Sequence, residues 1–190
     1  MSETSRPETE SPSRRWAAWL LAAAGVVSLL ASSSTLAQTW MYPIARSWRR
    51  GDPLVFDRAR RTLPKTDVTG WWAPEGYPYG LDHLGIPMVV FGALALIALP
   101  LLVTPVVAAP IRRVLGPVVA GALFLTAATS IYLILRFREF WIDRIADGGG
   151  FRLGPGFWMI SATAVLTVVV LGLYIGPVTA FIRPRAHRHK

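Results

Sequence analysis

A chain of 190 residues that is 53% hydrophobic and only 16% charged is too apolar for an ordinary soluble domain. It has no cysteine, which excludes disulfides, iron–sulfur clusters, thiolate metal sites and thiol nucleophiles. Its net charge of +9 comes from basic residues divided among several separate segments, which points to anionic lipid headgroups and away from nucleic acid.

The apolar residues fall into four runs, 16–38, 84–109, 115–135 and 157–182, and none of these contains a charged residue. A helix rises about 1.5 Å per residue, so about 20 residues cross a hydrocarbon core of about 30 Å. Lipid offers no partner to backbone N–H and C=O groups, so each run must be helical. The expected fold class is an all-α membrane protein with four transmembrane helices and one long, partly structured extracytoplasmic loop. Ionisable residues deep in such spans mark proton relays and ion paths, and this pattern lacks them.

Residues 1–15 carry too little apolar surface to offset their ordering entropy and are expected to form a disordered cytoplasmic tail. In the first span, 16–38, Gly25, Ser28, Ser32 and Thr35 share one face, which suits close helix packing. The alternative for Ser32, Ser33 and Ser34 is a polar ligand pocket. Thr35-Leu36-Ala37 before Gln38 is similar to a signal-peptide cleavage site, but the apolar run is longer than a typical signal core. An uncleaved signal anchor is the expectation.

The loop 39–83 is too long to be a mere connector. Asp52-Pro53 reads as a helix N-cap followed by proline, with Leu54, Val55, Phe56, Ala59 and Leu63 on one side. A short interfacial helix is predicted at about 53–63. The stretch from Gly70 to Gly80 then alternates glycine and proline with Trp71, Trp72, Tyr77 and Tyr79. With Arg60 and Arg61 these rings form a candidate partner-binding surface, since Trp, Tyr and Arg dominate binding hot spots. Trp40, Tyr42, Trp48, Trp141 and Trp158 fit an aromatic belt at the same membrane face. Asp82-His83 reads as a capping or interface pair, because a metal site needs three or four ligands.

In the second span, 84–109, Pro100 and Pro105 predict a kink near residues 96–101. Pro110 is expected to close that helix, and Ile111-Arg112-Arg113 to make a tight inner turn. The third span, 115–135, carries Ala122, Thr126 and Ser130 as a small-residue ridge. Its helix is predicted to continue to about residue 146 as an interfacial extension, with Phe137, Phe140, Trp141 and Ile145 on one face. Gly148, Gly149 and Gly150 are expected to end it, opening a glycine-rich loop at 147–156. The fourth span, 157–182, holds Gly172 and Gly176 in G-x-x-x-G spacing, a helix-packing signal. A basic cytoplasmic tail, 183–190, closes the chain.

Arg14-Arg15 before the first span and the basic tail after the last place both termini in the cytoplasm. That orientation puts nine basic residues inside and eleven outside. Arg58, Arg60, Arg61 and Lys65 lie mid-loop, where the rule weakens, and setting them aside leaves nine against seven.

No phosphate-binding loop, H-E-x-x-H or G-x-S-x-G motif occurs. Asp52, Asp57, Asp67, Glu75 and Asp82 sit in a basic loop, where ion pairing explains them. No catalytic, metal or cofactor-binding residue is assigned, and no cofactor is expected.

Arg14-Arg15 before span one, Gly70-Trp71-Trp72 in the first loop and Gly154-Pro155-Gly156-Phe157-Trp158 before span four give the chain its family likeness. It resembles small four-span integral membrane proteins of high-GC bacteria with a Trp-rich first outer loop. A claudin-like arrangement is similar in topology but carries loop cysteines. The resemblance implies topology and carries over no activity or functional residue.

The expected function is a non-catalytic accessory or scaffolding subunit of a larger complex in the bacterial inner membrane. Its partners would be other membrane protein subunits, met through the helix faces and the Trp/Tyr-rich loop, together with anionic lipids. The alternatives are a small transporter or lipid-binding protein, suggested by the prolines and serines of the first two spans, and a membrane enzyme using the loop carboxylates.

Overall fold

A computed structural model of the chain describes residues 12–41, 65–73, 81–104, 107–145 and 149–182. It is mostly helical (80%). Four helices, α1 (Pro12–Ser33), α2 (Gly85–Val103), α3 (Ala109–Ile145) and α4 (Pro155–Ile182), are each long and apolar enough to cross a membrane. The expected interfacial helix at 53–63 lies outside the described residues.

The class is not purely helical. Strands β1 (Ala37–Met41), β2 (Lys65–Val68) and β3 (Gly149–Leu153) form an antiparallel sheet in the order β2-β1-β3. This corrects two expectations. The first span does not run helical to residue 38, and the stretch 147–156 is not merely a glycine-rich loop.

The serines end α1. Ser32 Oγ donates to Leu29 O at 2.7 Å and Ser34 Oγ to Leu30 O at 2.7 Å, so hydroxyls occupy carbonyls of the last turn. The chain then turns into β1. Leu36 N–H donates to Val68 O at 2.8 Å, and Leu36 O accepts from Gly154 N–H at 2.9 Å. Gly150 adopts a strand instead of stopping a helix, and the Trp40 ring lies against its Cα, where a Cβ would collide with the indole.

Prolines set the ends of α2 and α3 differently from the sequence reading. The helix α2 stops at Val103, and Thr104 is extended with φ −89° and ψ 147°. The following residue is Pro105, and a residue before proline is pushed out of the helical region. Thr104 compensates by donating both its N–H (2.9 Å) and its Oγ1 (2.6 Å) to Pro100 O. Pro110 does not close α2; it is the second residue of α3, where a missing N–H costs nothing. Ile111 and Arg112 are not a tight turn either, since their N–H groups reach Ala108 O at 3.0 and 3.2 Å in the first turn of α3.

The 37 residues of α3 extend about 55 Å, well beyond a hydrocarbon core. Its far end does not simply lie on an interface. Phe137 is fully buried and meets Phe151 of β3 edge-on, with centroids 5.6 Å apart. The side chains of Phe140, Trp141 and Ile145 lie outside the described residues.

Two buried clusters hold the bundle. One sits beneath the sheet and joins Leu36, Ala37 and Val68 to Leu84, Met88, Ile134, Phe157 and Ile160. The other, at the opposite end, packs the alanine face of α1 (Ala17, Ala18, Leu21, Ala24) against Ala95, Ala98, Val119, Leu123 and Val170. Alanine lets α2 and α4 approach α1 closely, and α3 closes the bundle between α2 and α4.

Candidate interaction surface at the sheet end

The sheet has a dry face and a wet face because strand side chains alternate. Ala37, Thr39 and Val68 point into the cluster beneath and are essentially inaccessible. Gln38, Asp67 and Arg152 point the other way and stand in one row, since Gln38 pairs with both Asp67 and Arg152. Gln38 Nε2 donates to Asp67 Oδ1 at 2.8 Å. The neighbouring row is Lys65, Trp40 and Gly150 by register. The outer face therefore offers a carboxylate, an amide and a guanidinium in line, beside an indole.

Trp71 and Trp72 follow β2 in the turn that leads towards α2 and are 50% and 54% exposed. A tight turn presents them. Thr69 N–H donates to Trp72 O at 3.0 Å, and Trp71 N–H donates to Thr69 Oγ1 at 3.3 Å. The Trp71 ring lies over Gly85, whose N–H donates to Gly70 O at 2.7 Å, so the turn is tied to the start of α2. Of the candidate partner-binding residues, Trp71 and Trp72 thus lie at the sheet end. Tyr77, Tyr79, Arg60 and Arg61 lie outside the described residues.

The helix-packing candidates separate. Gly25 faces Gly92, and Ser28 Oγ crosses to Met88 O at 3.0 Å. Ser32 is buried at the sheet end of α1, where its carbonyl stands beside Gly70. Gly172 has no atom within 4 Å of where a Cβ would stand, so nothing described packs on it. The surroundings of Gly176 lie outside the described residues.

Within the bundle, Ser130 donates to Thr126 O at 2.8 Å, Thr163 to Met159 O at 3.0 Å and Thr167 to Thr163 O at 2.9 Å. Together with Ser28 and Ser32, these buried hydroxyls are engaged with backbone carbonyls. His83 is exposed. Among the described residues no group of three His, Cys, Asp or Glu side chains is placed to hold a metal.

Sequence reading missed Gln38, Trp40, Asp67 and Arg152 as a unit. The only signal was the alternation Ala37-Gln38-Thr39-Trp40, which is short and abuts an apolar helix. Comparisons with protein-family models, with curated proteins and with solved structures find no match to this chain.

Proposed function

We propose that the protein is a non-catalytic accessory or scaffolding subunit of a larger membrane complex, resident in the bacterial inner membrane, with both termini cytoplasmic and the sheet outside. The observation that carries this reading is the outer sheet face. The sheet that carries the row Asp67, Gln38 and Arg152, and the turn after β2 that carries the half-exposed Trp71 and Trp72, are tied by backbone hydrogen bonds to the start of α2, the start of α4 and the chain leaving α1. Exposed indoles and a guanidinium on a rigid support are the chemistry of protein-docking hot spots. A surface fixed to three spans also transmits a partner's position to the helices without needing a moving part.

The side assignment rests on charge. The end of the bundle opposite the sheet, with the chain segments that continue from it, holds nine basic and three acidic residues. The sheet-side segments hold eleven basic residues, but Arg58, Arg60, Arg61 and Lys65 lie mid-loop, where the rule weakens, which leaves seven near the spans. Concentrated arginine beside short spans is retained in the cytoplasm.

Extraction of the intact chain in a mild detergent tests the reading. A heavier particle containing a second membrane protein in fixed ratio is expected. A particle of the lone chain, with no co-purifying protein, would overturn it.

A further inference from the structure

The end of the bundle opposite the sheet carries a second surface, on the outside of α1. An open groove there is lined by Pro12, Arg15, Trp16 and Trp19. Trp16 and Trp19 are 67% and 58% exposed. The same stripe continues along the helix through Ala23, Val26 and Leu30, all exposed, at the spacing of one helical face. Arg15 lies at the mouth of this stripe, and Arg14 points to the other side of the helix by the same spacing.

The dimensions fit one kind of occupant. From Trp16 to Leu30 the helix rises about 21 Å, and about 15 Å of that, as far as Val26, is half of a hydrocarbon core of about 30 Å. That is the depth of one leaflet. The apolar stripe therefore matches an acyl chain, the two indoles match the headgroup boundary, and Arg15 stands where a phosphate would lie. The charge agrees. Arg14, Arg15, Arg112 and Arg113 all belong to this end, and among the described residues no Asp or Glu does.

We infer that the Arg15–Trp16–Trp19 face of α1 is a binding site for an anionic phospholipid, with Arg15 on its headgroup phosphate. The site is independent of the partner surface at the sheet end, so either reading stands without the other.

The test is indole quenching in the full-length protein, reconstituted in phosphatidylcholine vesicles containing a minor fraction of acyl-brominated lipid. Subtracting the W16F/W19F double variant isolates the two indoles. At equal mole fraction, brominated phosphatidylglycerol is expected to occupy this face on the order of fivefold more than brominated phosphatidylcholine, the effect of about one arginine near the surface. R15Q abolishes the preference, R15K retains it, and R14Q changes it less than about twofold. Equal quenching by the two lipids overturns the proposal. So do equal losses in R15Q and R14Q, which would mean diffuse attraction without a site.

Discussion

Gly25 and Gly92 set how closely α1 and α2 approach. A Cβ on Gly25 would stand 2.7 Å from Gly92 O, and one on Gly92 would stand 3.0 Å from Gly25 O. Alanine at Gly25 forces the two backbones apart, so G25A is expected to lose about 1–3 kcal/mol, and G92A, whose neighbours need give only slightly, is expected to lose less. G172A adds a methyl group to open space and should stay within about 0.5 kcal/mol of the parent chain. Reversible unfolding of the three variants in mixed micelles checks this, and an equal loss from G172A would contradict the packing described. The neighbouring Ser28 hydroxyl bonds to Met88 O, a carbonyl on the partner helix. In membranes such a bond is worth about 0.6 kcal/mol, so S28A should be a mild variant by the same measurement.

The sheet is the element that ties the bundle together. Its register pairs Gln38 with Arg152, which lie in loops far apart in sequence. Because the chain has no cysteine, a Q38C/R152C pair can be read without background. Directly opposed residues in an antiparallel sheet lie about 4.5–5.5 Å apart between Cα atoms, within disulfide range. Oxidation in membranes should crosslink Q38C/R152C and leave Q38C/F151C uncoupled, since one step in register turns the side chain to the other face. Efficient crosslinking of Q38C/F151C would show a shifted sheet. The same strand bears on the cleavage-like sequence before Gln38. Ala37 is 1% exposed, and its neighbours on both sides are bonded to β2 and β3. Removal of α1 by a cut after Ala37 would also strip Ala17, Ala18, Leu21 and Ala24 from the cluster they form with Ala95, Ala98 and Val170. The intact mass of the purified protein should therefore include α1, and an N-terminus at Gln38 would contradict it.

The helices were legible and the sheet was not, for physical reasons. A run of about 20 uncharged apolar residues has one stable form in lipid, so four such runs identify four helices. A strand of four or five residues carries little periodic signal, and its partners lie in other loops. In Ala37–Met41 the alternation is masked by the apolar helix before it, and in Gly149–Leu153 two glycines read as a stop. Gly150 pairs with Trp40 in the sheet and leaves room for its ring, a long-range contact that no local window contains. Proline was ambiguous in the same way. Pro110 reads equally as the end of one helix or the start of the next, and the residue before Pro105 decides it. At the candidate surface, Trp71 and Trp72 stood out by composition, but Gln38, Asp67 and Arg152 become one row only after the strands pair.

At the scale of the whole molecule, the two ends differ in kind. One end is a sheet with a mixed polar and aromatic face. The other is arginine-rich, with indoles on its outer surface. Between them the buried hydroxyls of the bundle are occupied with backbone carbonyls. On the proposed reading the protein meets its surroundings through these two end surfaces, and the sheet end is the one that meets a partner. The most direct measurement places a photoreactive residue at Trp72, at Arg152 or at Val165 on the outer side of α4 (64% exposed) and irradiates intact membranes. The account predicts one discrete adduct with the same second protein from positions 72 and 152, and none from 165. Adducts only to lipid, or the same spread of proteins from all three positions, would contradict it.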